Sequence, residues 1–250
     1  MAQEERKLRI NNISDKPTRL NFNLAGIKRL VLLPDYSPIN GSLPVGSIAV
    51  YVKDNHKINP SHLGQDVGCG MLLGLIKKFS MERMRDIMND VAGELLSQYD
   101  SDKFGYLGGG NHFITLYEVT ESKDPRLNLK DKLILVHSGS GKKGIDLYKN
   151  NQEYDGYLEE YKEVLMYAEK NRKAILEIFK KYSKSNVDIL LDNMHNSIEV
   201  SNEEIIYRKG AIKVIPGKYN IISSSMAGDA LIINPKESII SLDCSLPHGT

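Results

Sequence analysis

The sequence predicts a single α+β domain of many short strands in mixed sheets with flanking helices. Three observations predict it. Short apolar or β-branched runs recur along the chain and are broken by Gly and Pro. Two segments, one starting near residue 84 and one near residue 154, repeat apolar residues at helical spacing. No internal repeat, low-complexity tract or linker divides the 250 residues, so 1–250 reads as one unit.

The elements follow in order. "RLVLL" (29–33), "SIAVYV" (47–52) and "MLLGLI" (71–76) are predicted strands. A helix carries Met84, Ile87, Met88, Val91 and Leu95 on one face. "YLGGGNHFITLYEV" (106–119) is a glycine turn feeding a strand, and "KLILVHSGSGKKG" (132–144) is a strand running into a Gly/Ser loop. The longest helix is expected over roughly 154–182, with Tyr161, Val164, Leu165, Ala168, Ile175, Ile178 and Phe179 as its apolar stripe. "SNVDILLDNMHNS" (185–197) reads as strand then loop. "AIKVI", "YNIISS", "ALII" and "SIISL" read as short strands of the tail.

Composition narrows the function classes. The net charge of +1 gives no overall basic field for non-specific nucleic-acid binding. No apolar run reaches bilayer length, so no membrane partner is expected. The start, "MAQEERKLRI", lacks the apolar core of a signal peptide, which points to the cytoplasm and reduced thiols. Cys69 and Cys244 could form one disulfide at most; free thiols are expected, with Cys244 a packing residue.

The informative residues are the rare ones. Cys69 lies in "HLGQDVGCGM", between two glycines and three residues after Asp66. Of six histidines, His112 lies in "GGGNHF", His137 in "LVHSGSG", His195 in "DNMHNS" and His248 in "LPHGT". All four sit beside Gly, Asn or Ser at the end of a strand-like run or turn. Neutral imidazole, thiolate and the Asp66 carboxylate can together bind a divalent ion, and one thiolate can bridge two. Ligand softness alone would select zinc. The spacings match no zinc-finger rule, and structural histidines remain open as a reading. "HSGSGKKG" is either a surface loop or a phosphate cradle; its spacing excludes a Walker A loop. His56 and His62, in "KDNHKINPSHLG", are expected to be solvated.

Taken in order, these pieces resemble the RtcB family of RNA ligases. The family carries Asp-x-x-Cys-Gly, Gly-Asn-His-Phe, His-Ser-Gly-Ser, a His-Asn pair, Arg-Lys-Gly-Ala and His-Gly. This chain has "DVGCG" (66–70), "GNHF" (110–113), "HSGS" (137–140), "HN" (195–196), "RKGA" (208–211) and "HG" (248–249). "LPD" (33–35), "PVG" (44–46) and a helix ending in Asn-Arg add to the likeness. The resemblance implies a ligase that joins 3′-phosphate or 2′,3′-cyclic phosphate RNA ends to 5′-hydroxyl ends, as in tRNA splicing and RNA repair. GTP and two Mn²⁺ ions are the implied cofactors, and a small activating helper protein is an implied partner. Cys69 would bridge the metals, with Asp66 and His112 on one and His137 and His195 on the other. His248 would carry GMP. Asn111, Asn196, Ser138, Arg208, Lys209 and Ser225 would bind nucleotide or phosphate.

The chain departs from the family in places. Thr115 stands where the family has the glutamate that reads the guanine edge, and a hydroxyl cannot accept two N–H bonds as a carboxylate does. Ser37 replaces the histidine of the early Pro-Asp motif, Lys142 and Lys143 replace an arginine, and "ISSSMAG" (222–228) replaces a glycine-richer loop. The sequence stops at Thr250 where family members continue, so a compact relative or a fragment is expected, with His248 near a mobile end. A metal-dependent phosphodiesterase or phosphatase on RNA ends, and a non-catalytic RNA-end binder, stand as alternatives.

Overall fold

The computed structural model describes residues 8–79, 81–97, 104–150, 154–224 and 227–249. Two larger, antiparallel-rich sheets and two small two-stranded sheets, with helices, form an α+β fold. The first sheet has the order β1 (Arg9–Asn12), β2 (Ile27–Ser37), β3 (Val45–Val52), β9 (Glu204–Lys209), β8 (Asn196–Val200). Its β1–β2 pair is parallel and the rest antiparallel. The second sheet has the order β5 (Phe113–Glu118), β6 (Lys132–Ser138), β4 (Gly70–Ile76), β7 (Val187–Met194), all antiparallel. The two-stranded sheets pair β10 (Ala211–Lys213) with β13 (Ser245–Pro247) and β11 (Asn220–Ile222) with β12 (Leu231–Ile233).

Strand β4 is buried along its whole length, which is why it reads as an unbroken apolar run rather than an alternating one. Leu72 points to one face, beneath α1 (Met84–Ser97) and the C-terminal half of α3 (Tyr154–Ser183). Leu73 points to the other face, with Phe113, Leu135 and Ile221. Helix α3 is a strut between the sheets. Tyr157, Tyr161 and Val164 pack with the first sheet, and Ile175, Leu176 and Phe179 pack with the second. Each such fully buried side chain contributes roughly 1.5–3 kcal/mol of transfer free energy.

Several local expectations are corrected. The loop expected after His137 ends at Gly141, and α2 (Lys142–Asn150) begins there, so Lys142 and Lys143 are exposed first-turn residues. Nine residues hold too few helical repeats to show a period. The loop expected after Met194 is a single residue, His195, followed directly by β8. "SIISL" lies in a 3-10 helix, Glu237–Leu242, in which Ile239 is buried and Ile240 exposed. Strands β1, β8 and β9 carry no run that sequence reading separates from turns.

The expectation of solvated histidines in the 53–64 segment also fails. His62 is 5% exposed, and its Nε2 lies 2.8 Å from the Tyr51 hydroxyl. His56 stacks on Tyr51 and reaches the Tyr207 hydroxyl at 3.0 Å. The polar sequence around them hid a buried aromatic cluster. Burial lowers the His62 pKa to about 4. The unfolded chain takes up this proton below about pH 6.5, whereas the folded one resists it. The stability from neutral His62 is therefore complete above about pH 6.5 and declines as pH falls toward 4, by on the order of 3 kcal/mol. The melting temperature should fall between about pH 7 and pH 4.5, and His62→Gln should flatten that slope. An unchanged slope would overturn this assignment.

Candidate active site

The strand directions build the site. In the second sheet β4 and β5 start, and β6 and β7 end, at the same edge: Gly70 pairs with both Ser138 and Met194, and Phe113 with His137. Cys69 precedes β4, His112 precedes β5, His137 is the penultimate residue of β6, and His195 follows β7. Four sequence-distant side chains thus meet at one end of one sheet. His195 is also where the chain passes from the second sheet to the first. Its N–H donates to the Cys69 carbonyl at 2.9 Å, and the Gly68 N–H donates to the Asn196 carbonyl at 3.0 Å.

The donor atoms form a row with the thiol in the middle. Cys69 Sγ lies 3.1 Å from His112 Nε2 and 3.2 Å from His137 Nε2. On one side His112 Nε2 lies 3.2 Å from Asp66 Oδ2; on the other His137 Nε2 lies 3.3 Å from His195 Nε2. The ligand atoms of Cys69, His112 and His137 all lie within 4.8 Å of one another. Two sulfur and nitrogen ligands of one tetrahedral ion stand about 3.5 Å apart, so the spacing suits coordination. His112 Nδ1 is directed at the Leu107 carbonyl, 2.9 Å away, which turns Nε2 inward.

Electrostatics agree with this donor set. Burial, then the charge of His112, lowers the His137 pKa to about 3. Burial, then His248, holds His195 well below its usual value. Both rings are neutral at pH 7 and offer lone pairs. Burial and the Asp66 charge raise the Cys69 thiol well above its usual range. Burial pushes the Asp66 carboxyl up, but the hydrogen bond and charge of His112 outweigh it and hold the group low. A site of neutral thiol and crowded nitrogens gains most from a cation that displaces the thiol proton. The residues therefore fit a divalent ion by donor chemistry.

Helix α3 holds the frame. Arg172 is 1% exposed; it donates to Asp192 at 2.7 Å and to the Gly68 carbonyl at 2.8 Å. Asn171 accepts from the Gly105 and Tyr106 N–H groups and donates to the Tyr106 and Gly139 carbonyls. A Cβ at Gly139 would stand 2.5 Å from Asp66 Oδ1, so only glycine lets the turn close on the carboxylate. Arg172→Met should cost about 3–5 kcal/mol in denaturant unfolding, because Asp192 would stay buried without a counter-charge. Adding Asp192→Asn should restore much of that loss; no recovery would overturn the pairing argument.

His248 is brought to the same place by the β10–β13 strand pair. Its N–H donates to the Gly210 carbonyl at 3.2 Å, and its carbonyl accepts from Ser223 at 3.1 Å. Its ring lies 4.8 Å from that of His195, centroid to centroid. Nδ1 lies 2.7 Å from Asp35 Oδ2, which also accepts from the Gly249 N–H at 3.0 Å. At 2% exposure this residue is held firmly, contrary to the loose placement expected of it.

An open cleft of about 630 Å³ borders the row at its two ends, Asp66 and His195, and reaches His248. Asp35, Asp66, Asn111, His195, Asn196, Lys209 and His248 line it. Burial lowers the Lys209 pKa to about 8, and its ammonium donates to Ser42 Oγ at 2.8 Å. Asn196 bridges the Asp66 carbonyl and the Gly210 N–H. Ser138 and Arg208 are buried elsewhere: Ser138 donates to Leu107, and Arg208 bonds Glu199, Ser245 and the Asp243 carbonyl. Ser225 lies outside the described residues. Sequence reasoning missed Asp35, Asn171 and Arg172 as site-building residues. The signal for the last two was a polar gap in the α3 apolar stripe, between Ala168 and Ile175.

No protein-family model matches the chain. The chain is similar to RNA-splicing ligase RtcB2 of Escherichia coli. The two are 27% identical, over 96% of this chain and 72% of that protein. No helix among the described residues is long and apolar enough to cross a membrane.

Proposed function

We propose that the chain is an RNA ligase of the RtcB type. It would join RNA ends bearing a 3′-phosphate or 2′,3′-cyclic phosphate to 5′-hydroxyl ends through a nucleotide carried on His248. The observation that carries this reading is the row Asp66–His112–Cys69–His137–His195, ending against the ring of a buried, carboxylate-held His248. The similarity to an RNA-splicing ligase supports it.

The residues divide the work. Asp66 and His112 would hold one divalent ion, His137 and His195 a second, with Cys69 shared. When bound, such cations offset triphosphate and RNA phosphate charge and align in-line attack. Asp35 accepts the Nδ1 proton of His248, which leaves Nε2 as the nitrogen with a free lone pair. Nε2 attacks the α-phosphorus of GTP: a P–N bond forms, the α–β P–O bond breaks and pyrophosphate leaves. A 2′,3′-cyclic end is first opened by water, which breaks the bond to the 2′-oxygen and leaves a 3′-phosphate; an oxygen of the 3′-phosphate then takes the nucleotide and frees His248. The 5′-hydroxyl attacks that activated phosphate and GMP leaves. Lys209 offers the cleft's buried cation to the phosphates.

A second reading, nucleotide-independent hydrolysis of RNA-end phosphates, draws support from Thr115. This half-buried residue of β5 offers no carboxylate to a guanine edge. One experiment separates the two. The protein is incubated with Mn²⁺ and α-labelled GTP or ATP, then with RNA ends. Covalent label that is consumed as joined RNA appears is the expected result. Opening of cyclic phosphates without nucleotide, and no label, would overturn the ligase reading in favour of the hydrolase.

A further inference from the structure

The charge balance of the cleft bears on how much RNA it holds. Its lining includes Lys209 as the one Lys or Arg side chain among the described residues, against the carboxylates of Asp35 and Asp66. A groove that tracks a strand carries a series of cations along its length. Here part of the wall is neutral: Ser37, Asn40, Ser61 and Gln65. Such groups suit ribose hydroxyls and base edges rather than a run of phosphates. Helix α2 contributes Tyr148, a partly exposed ring and the one Phe, Tyr or Trp among the described lining residues. Aromatic rings on a groove wall stack single-stranded bases.

We propose that the cleft reads an RNA end one nucleotide deep, with the terminal base stacked on Tyr148, its ribose against the neutral wall and its phosphate toward Lys209. The proposal rests on the RNA-end reading above. It requires an RNA terminus whose last base has a free face to offer Tyr148.

The test is binding of 3′-phosphate-ended oligoribonucleotides of increasing length, with Mn²⁺ present and salt varied. Affinity should level off after the first one or two nucleotides. The slope of log affinity against log salt should lie near −0.7 to −1.4, for about one or two phosphate contacts on a single strand. A slope near −4, with affinity climbing along the series, would mean about six contacts and would overturn the proposal. Tyr148→Ala and Tyr148→Leu should weaken binding by roughly 5- to 150-fold, while Tyr148→Phe and Tyr148→Trp bind within a few fold of the parent. The apolar Leu variant guards against misfolding of the Ala variant. Ala and Leu binding as tightly as Tyr would overturn the stacking role. If the parent protein binds no phosphate-ended RNA and takes no nucleotide label, the ligase reading itself fails. That outcome is visible before any variant is made.

Discussion

Cys69→Ala should leave a folded protein with no stoichiometric metal at the sheet edge and no RNA-joining activity. Cys69 is the only member of the donor row with two donor neighbours that both belong to strand-end histidines, His112 and His137. Removing it separates the row into Asp66 with His112 and His137 with His195, and each half would then offer an ion only two protein ligands, too few to retain it. The loss of transition-state charge stabilisation should lower ligation by roughly a thousandfold or more. The fold should survive, because the lost volume is one sulfur atom in a well-walled site and costs on the order of 1 kcal/mol. Metal content by mass spectrometry and ligation of phosphate-ended RNA read the result, with a melting curve as control. Chelation of the parent protein should give the same loss, reversed by adding the ion back. The thiol stays protonated without an ion, since burial and Asp66 raise its pKa. Metal uptake should therefore release a proton and strengthen as pH rises. Full activity in a metal-free Cys69→Ala protein would remove the metal centre from the mechanism. Zinc retained in preference to manganese would fit the soft sulfur ligand and change the ion without changing the row.

The parts of this architecture that were legible in the sequence are those with long, clean periodicity. The apolar run of β4 and the stripe of α3 announce themselves because each buries one continuous face. The Cys and His of the row were legible as candidates, since Cys and His are rare here and each follows or precedes a strand-like run. Their convergence was not. It depends on the antiparallel order β5-β6-β4-β7, which brings two strand starts and two strand ends to one edge. Nothing local encodes that order. The Asp35–His248 contact spans 213 residues and joins a strand end to a small two-stranded sheet, so no spacing rule could expose it. His62 misled for the opposite reason: its neighbours Lys57, Asn59 and Ser61 are polar, while its ring is buried by Tyr51 and Tyr207 from distant strands. Arg208 shows the limit of motif matching. A cation in a phosphate-associated motif is here bound by Glu199, Ser245 and a backbone carbonyl, and the adjacent Lys209 is the one that faces the cleft.

His248→Ala should abolish covalent nucleotide labelling outright, and substitutions of Asp35 should grade it. Deleting the imidazole removes the one ring, among the described residues, that is both pinned by a carboxylate and set against His195. Labelling should fall below detection, and sealing of RNA ends with it. The label on the parent protein should be released by acid and survive alkali, as a P–N bond does and a phosphate ester of Ser does not. Asp35 acts through His248, so its loss should slow labelling without ending it. Asp35→Ala leaves the His248 Nδ1–H and the Gly249 N–H without their acceptor, and the ring can then turn or change tautomer. A loss of about 10²- to 10⁴-fold in labelling rate is expected, the range seen when the carboxylate that orients a catalytic histidine is altered. Asp35→Asn should fall between Asp and Ala: the amide oxygen can still accept from Nδ1 and hold the tautomer, but the negative charge that favours a proton on Nδ1 is gone. The order Asp, Asn, Ala in labelling rate, at unchanged metal content, is the signature of a residue that positions the nucleophile. Equal rates for all three would show that the buried carboxylate serves only the backbone turn at Gly249. Persistent label in His248→Ala would move the nucleophile to another residue of the cleft, and with it the chemistry assigned to the whole row.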